Sequence, residues 1–430
     1  MSIAISQNLI KFNINAISIE SNFFLRFIKF ISILFLLPRN FVRIFTKFHF
    51  VAIISKHIIF YPSPSSLSYA WSFGSLAGLS LSIQLCSGLF LTLYYTPHVD
   101  IAFSSIEFIM RDVHNGWLIR YIHSNGASMF FIVVYAHMCR GIYYGSYMRP
   151  RRALWCSGVI LLLLMMATAF TGYVLPWGQM SLWGATVITN MLTVIPVAGT
   201  FIVEWIWGGY TIAKPTLYRF YTVHFILPFF IIGMTFIHLI LLHKVGSGNV
   251  IGVDTNLDDI TFHPYMISKD LVALNVYLIV FSVMVFYYPN VLNHPDNYVP
   301  ANPMKTPPHV VPEWYFLPYY VMLRTFPTKT TGILAMFSSL LILFSIPFTE
   351  ASKVRCADYR PIFKVFFWVF IYDFAILLWV GQKSIKDMRT FYDFAGEYST
   401  AYYFVFFLLV FPIVGRVENY LGTYPVVKKL

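Results

Sequence analysis

Eight stretches of this 430-residue chain are apolar enough to demand lipid as their solvent. They run roughly 71–95, 115–144, 153–174, 218–243, 269–289, 331–349, 360–381 and 400–420. A helix rises 1.5 Å per residue, so a bilayer crossing takes about 20 apolar residues. Only 11% of the residues are charged, against 58% hydrophobic and 19% aromatic. So few charges cannot cover a water-facing surface, for which about 25% is usual. The sequence predicts an all-α, polytopic membrane protein with eight transmembrane helices.

Eight is even, so both termini fall on one side. Arg140, Arg149, Arg151 and Arg152 follow span two, and Lys353, Arg355, Arg360 and Lys364 follow span six. Lys428 and Lys429 end the chain, while Lys11, Arg26, Lys29, Arg39, Arg43 and Lys47 precede span one. The positive-inside rule puts all of these in the mitochondrial matrix or bacterial cytoplasm. It also accounts for the net charge of +12 without nucleic acid. The four cysteines, Cys86, Cys139, Cys156 and Cys356, form no Cys-x-x-Cys pair and no haem-attachment motif. Any haem is therefore held non-covalently.

Three regions organise the chain: an arm at 1–60, a segment at 61–290 and a C-terminal membrane segment at 291–430. The arm is basic, with Glu20 its only acid, and its apolar run Ile31 to Leu37 is too short to span. It reads as an amphipathic element lying on the membrane, with a transit peptide as the alternative. The connections 175–217 and 290–330 are long and rich in Pro, Gly and Trp, and both belong on the positive face. Long connections between tight helices usually carry function.

Span two holds His123 and His137, and span four holds His224 and His238. Each pair is 14 residues apart. Four helical turns take about 14.4 residues, so the members share a face about 21 Å apart. Spans two and four cross in the same direction, so His123 can meet His224 on the positive side and His137 can meet His238 toward the matrix. A single histidine in a membrane helix is more often a packed residue, but two equal pairs on parallel helices are poorly explained that way. Two imidazoles fill both axial positions of a haem iron, which suits electron transfer. Zinc would need further ligands.

Gly74 and Gly88 on span one, and Gly158 and Gly172 on span three, repeat the spacing of 14. Glycine admits close approach of a flat ligand, and small-residue helix packing is the plainer alternative. On the antiparallel spans, Gly74 and Gly158 fall at the matrix-side level, Gly88 and Gly172 at the other. Arg120 and Arg140 stand three residues from a histidine, where haem propionates need cations. Arg140 is equally well explained as a positive-inside charge.

Long motifs carry a resemblance. They include Arg111-Asp112-Val113 with Gly116-Trp117 and Arg120-Tyr121-Ile122-His123, Asn125-Gly126-Ala127-Ser128, and Gly172-Tyr173-Val174-Leu175-Pro176-Trp177-Gly178. Others are Trp183-Gly184-Ala185-Thr186, His224-Phe225-Ile226-Leu227-Pro228, Pro295-Asp296-Asn297-Tyr298 and Pro312-Glu313-Trp314-Tyr315. From about residue 60 onward the chain resembles the cytochrome b family of respiratory complex III. The resemblance implies two non-covalent haems b inside a four-helix bundle formed by the first four spans. It implies a ubiquinol oxidation pocket on the positive face, with Glu313 as proton acceptor and Tyr173, Gly184 and Tyr320 lining it. From the residues alone, Glu313 could equally be a helix cap. A ubiquinone reduction pocket on the matrix face is implied at His243, Asp270 and Ser75. Asp373 reads as structural, and Lys269 as a proton donor or an interface charge.

The implied setting is the mitochondrial inner membrane, with both termini in the matrix. The implied partners are a Rieske iron–sulfur subunit, a membrane-anchored c-type cytochrome, the other complex III subunits, a second copy in a homodimer and a respiratory supercomplex. The pattern departs at Ala213, where an acid is common, at His294, and across 381–398. A haem b anchor of a dehydrogenase and a histidine-relay transporter are the competing readings. The Pro-Glu-Trp-Tyr loop argues against the first, and the second predicts no porphyrin absorption.

Overall fold

The computed structural model describes residues 52–53, 55–253, 258–383 and 391–422. The chain divides into two units, Met1–Tyr61 and Pro62–Leu430. In the first unit the described residues form a short helical turn, Ser55–Ile59. The expected surface arm otherwise lies outside the described residues, as do 384–390 and the C-terminal lysines.

The second unit is helical. Its long helices are α1 (Phe73–Thr92), α3 (Gly116–Tyr143), α4 (Arg152–Val174), α7 (Lys214–Val245), α8 (Tyr265–Phe286), α11 (Pro361–Gly381) and α12 (Phe391–Val405). Shorter ones are α2 (Ala102–Arg111), α5 (Gln179–Asn190), α6 (Gly199–Trp207), α9 (Leu317–Thr325) and α10 (Lys329–Leu341). Beyond α12 a π-helical stretch, Phe406–Val414, contains Pro412 and leads into α13 (Gly415–Leu421). Strands β1 (Pro62–Pro64) and β2 (Asp259–Thr261) pair antiparallel, Pro62 opposite Thr261.

Among the described residues six helical stretches are long and apolar enough to cross a membrane: Tyr69–Thr92, Arg152–Val174, Lys214–Val245, Tyr265–Phe286, Pro361–Gly381 and Phe391–Leu421. The second expected span falls on α3, 28 residues long, whose apolar content is diluted by Arg120, His123, Asn125, His137 and Arg140. The sixth falls on α10, which runs on through a 3-10 turn, Ile342–Phe344, into a short helix, Ile346–Thr349, so that this span is broken and not one regular helix. Helices α2, α5 and α6 lie where the sequence reading placed only connections.

Helix ends follow local chemistry. The backbone N–H of Ala213 donates to Thr216 Oγ1 at 3.2 Å, and Pro215 opens α7, where no N–H is needed. Helix α6 stops at Gly208, whose φ of +72° suits a residue without a side chain. Thr328 caps α10 through its hydroxyl, which accepts the Thr331 N–H at 3.2 Å.

α1 packs along α3, α4 along α7, and α11 along α12. Lipid supplies no hydrophobic drive between helices, so shape-matched contact must hold them. The largest core cluster is aromatic: Phe370 stacks on Phe406 with centroids 4.4 Å apart, and Phe131 on Tyr315 at 3.9 Å. Such pairs add about 0.5–1.5 kcal/mol beyond burial.

Arg360, expected as a surface charge, is fully buried at the start of α11 and paired with Glu350 and Glu418. Arg151 is also buried and donates to the Gly246 carbonyl at 3.0 Å. Partners far along the chain, Gly246 for Arg151 and Glu418 for Arg360, enclose these arginines, which a count of loop charges cannot reveal. Asp373 is buried in α11 and bonded to Ser399 of α12, outside the cavity described next.

Candidate functional site

α3 and α7 bring four histidines together in two levels. The rings of His123 and His224 have centroids 6.2 Å apart, and those of His137 and His238 are 6.5 Å apart. Two metal–imidazole bonds of about 2.0 Å plus the half-widths of two rings give a separation of about 6 Å. Each pair is therefore spaced for one metal atom between its imidazoles.

The flanking helices close on the ring edges. A Cβ built on Gly88 would stand 3.2 Å from His123, on Gly158 3.3 Å from His238, and on Gly74 3.4 Å from His137. A Cβ on Gly172 would overlap the His224 ring. Each Nδ1 has a partner. Ser87 Oγ lies 2.9 Å from His123 Nδ1, Ser157 Oγ 2.8 Å from His238 Nδ1, and the Thr168 carbonyl 2.8 Å from His224 Nδ1. Arg140 Nη2 lies 3.1 Å from His137 Nδ1, and its guanidinium lies over the Trp71 ring at 5.2 Å. Arg140 thus faces into the site. With Nδ1 engaged, Nε2 is the nitrogen left toward the opposite ring.

Among the described residues no three His, Cys, Asp or Glu side chains gather as a metal-ligand set. Two imidazoles per level suit a metal whose remaining positions a macrocycle fills, and glycines at the ring edges leave room for a flat group. The residues fit haem b.

A cavity of about 510 Å³ opens beside the upper pair. Gly88, Arg120, His123, Gly172, Tyr173, His224, Asn297, Tyr298, Glu313 and Tyr315 all line it. The loop holding Glu313 is pinned to α3 in three ways. Trp314 Nε1 donates to Ser128 Oγ at 3.0 Å, Tyr135 donates to the Tyr315 carbonyl at 2.7 Å, and Tyr315 stacks on Phe131. The two long connections also interlock: Gln179 N–H donates to Val299 O at 3.0 Å, and Ala301 N–H to Trp177 O at 3.0 Å. Burial raises the Glu313 carboxyl to about 7, while the Tyr173 hydroxyl and the Arg120 charge oppose the rise. Gly184 and Tyr320 do not line this cavity. Gly184 has open space at its Cβ position, and Tyr320 carries Arg324 over its ring at 4.8 Å.

At the other end, Ser75 donates to Asp270 Oδ2 at 2.7 Å, joining α1 to α8. Lys269 turns away, donating to the Leu67 carbonyl at 2.6 Å and lying over Tyr265. His243 is half-buried in the last turn of α7.

Sequence reading missed Ser87, Ser157 and Thr168. The available signal was that Ser87 and Ser157 each immediately precede one of the spaced glycines.

Two sequence families match: Cytochrome b/b6/petB over residues 58–246 and Cytochrome b(C-terminal)/b6/petD over residues 300–404. The chain is 55% identical to cytochrome b of Phytophthora megasperma, over 87% of this chain and 97% of that one. It is 49% identical to cytochrome b of Chondrus crispus, over 88% and 98%. A chain of a solved hyperthermophilic respiratory Complex III superimposes with a TM-score of 0.81 at 35% identity, covering 87% of this chain and 98% of that one.

Proposed function

The chain belongs to the cytochrome b family, as an integral membrane protein of the respiratory electron-transfer chain that works within a multisubunit complex, and from that premise we propose that it is the electron-transfer subunit of a quinol–cytochrome c oxidoreductase. One observation carries the proposal: a single cavity holds both the His123–His224 pair and the Glu313 carboxylate. Oxidising a quinol requires an electron acceptor and a proton acceptor in reach of the same molecule.

In this reading α3 and α10 complete eight spans, with both termini in the matrix and the protein in the mitochondrial inner membrane. Spans one to four form the haem bundle. His123 with His224, and His137 with His238, hold two haems b, with Arg120 and Arg140 near their propionates. Haem b bound at these sites supplies one-electron transfer between the two faces. Glu313 takes a proton from ubiquinol and releases it to the positive face, with Tyr173 and Arg120 orienting its carboxylate. Gly184 and Tyr320 belong to the outer margin of that pocket. At the matrix face Asp270, held by Ser75, and His243 deliver protons to ubiquinone. Among the described residues no cluster of Cys and His could hold an iron–sulfur centre, and in this reading one electron of each quinol leaves to a Rieske subunit and on to a c-type cytochrome, in a homodimeric complex and a larger respiratory assembly.

Glu313 sets the pH dependence. A base must be deprotonated to accept, and its carboxyl ionises near 7. The rate of quinol oxidation is expected to rise as pH increases through 7. Glu313→Gln is expected to flatten that rise and slow oxidation by about 10²–10⁴-fold, the usual worth of a positioned base. The effect on folding has the opposite sign. A carboxyl raised by burial disfavours the folded state at pH above its unfolded value, so the variant should be no less stable at pH 8. Stopped-flow quinol oxidation between pH 5.5 and 8.5 checks this, and an unchanged profile in the variant would remove Glu313 from the mechanism.

A further inference from the structure

We propose that Ser87 and Ser157 are positioning residues that fix the tautomer of one histidine at each level and thereby tune the potential of that level independently. The proposal rests on the haem reading above and deepens it.

A serine hydroxyl carries one proton. Ser87 Oγ donates it within its own helix, to the Ile83 carbonyl at 2.6 Å. Ser157 Oγ does the same to the Leu154 carbonyl at 2.7 Å. Back-bonding of this kind is ordinary for serine in a membrane helix. The second contact is not. With their protons committed, the oxygens can present only lone pairs to His123 Nδ1 at 2.9 Å and His238 Nδ1 at 2.8 Å. Nδ1 must then carry the ring proton, and Nε2 keeps its lone pair free for a metal. An acceptor on the far nitrogen makes the ring more basic and fixes its rotation, which stabilises the more highly charged metal.

The arrangement has a diagonal symmetry. Ser87 and Gly88 on α1 both meet His123, and Ser157 and Gly158 on α4 both meet His238. One residue sets the ring's proton and its neighbour sets the ring's clearance. The other two histidines lack a hydroxyl partner: His224 donates to the Thr168 carbonyl, and His137 faces Arg140. The Gln84 and Leu154 carbonyls also reach the His123 and His238 rings, so loss of a hydroxyl shifts the balance without emptying the site.

The test uses the intact complex carrying Ser87→Ala or Ser157→Ala, with optical redox titration and low-temperature EPR of the oxidised metal. Ser87→Ala is expected to raise the potential of one b-type component only, and Ser157→Ala that of the other. A tenfold change in the reduced-to-oxidised ratio corresponds to about 59 mV for one electron. Ser87→Thr keeps the hydroxyl and is expected to keep both the potential and the EPR signal. Should an alanine variant fail to accumulate, Ser87→Cys, with its weaker acceptor, is expected to shift the same component by less. Unmoved potentials and EPR signals, or both components moving together in each variant, would overturn the proposal. A wild-type complex with no b-type absorption would instead overturn the haem reading beneath it.

Discussion

Arg360→Ala is expected to cost about 3–5 kcal/mol of stability, the usual consequence of removing one partner from a buried ion pair. The guanidinium is fully buried. Its Nε donates to Glu418 Oε2 at 2.9 Å and its Nη1 to Glu350 Oε2 at 3.0 Å. The carboxylates are themselves engaged. Tyr147 donates to Glu350 at 2.6 Å, Ser352 N–H to its other oxygen at 2.7 Å, and Phe363 N–H to Glu418 at 3.0 Å. The cluster ties the turn after α3, the segment after α10, the start of α11 and the helix α13. Alanine would leave two carboxylates facing each other without a cation. Arg360→Lys keeps the charge but loses the planar fork, so it should recover only part of the loss. Thermal melting of the complex in detergent reads the difference. A loss below about 1 kcal/mol would show that the cluster is solvated and contributes little.

Gly172→Val is expected to abolish one b-type component and leave the other. Gly172 faces the His224 ring so closely that even a Cβ overlaps it. Either α4 retreats from α7 or the imidazole rotates out of line with His123. Overpacking of this kind costs about 1–3 kcal/mol where the structure can yield. Here the cost falls on the ligand, because the ring is softer than the helix. The other three glycines leave 3.2–3.4 Å, so alanine at Gly74, Gly88 or Gly158 asks only a small shift. Pyridine haemochrome analysis of the purified complex measures the loss as one haem per chain instead of two. Full haem content in Gly172→Val would refute the steric account.

The parts legible in the sequence were those written at helical spacing. The histidines and glycines recur every 14 residues, and any helix turns that recurrence into a shared face. Apolar length revealed most of the long helices for the same reason. It did not foresee the 3-10 turn at Ile342–Phe344 that interrupts the run after α10, and it passed over α2, α5 and α6, which lie within connections. Partners brought in by tertiary folding left no local mark. Ser87 and Ser157 look like any serine bonded to its own helix. Arg360 looked like a loop cation because Glu418 is 58 positions away. Glu313 was singled out by its motif, but the loop's seat on Ser128, Phe131 and Tyr135 comes from packing across nearly 190 positions. That seat places the carboxylate in the same cavity as the upper histidines.

Two imidazole pairs, His123 with His224 and His137 with His238, are expected to hold two separate one-electron centres. A redox-titrated optical spectrum of the purified complex tests it most directly. Two b-type components of distinct potential are expected, one missing in His123→Leu and the other in His137→Leu. Absence of b-type absorption, or both components surviving in both variants, would contradict the account.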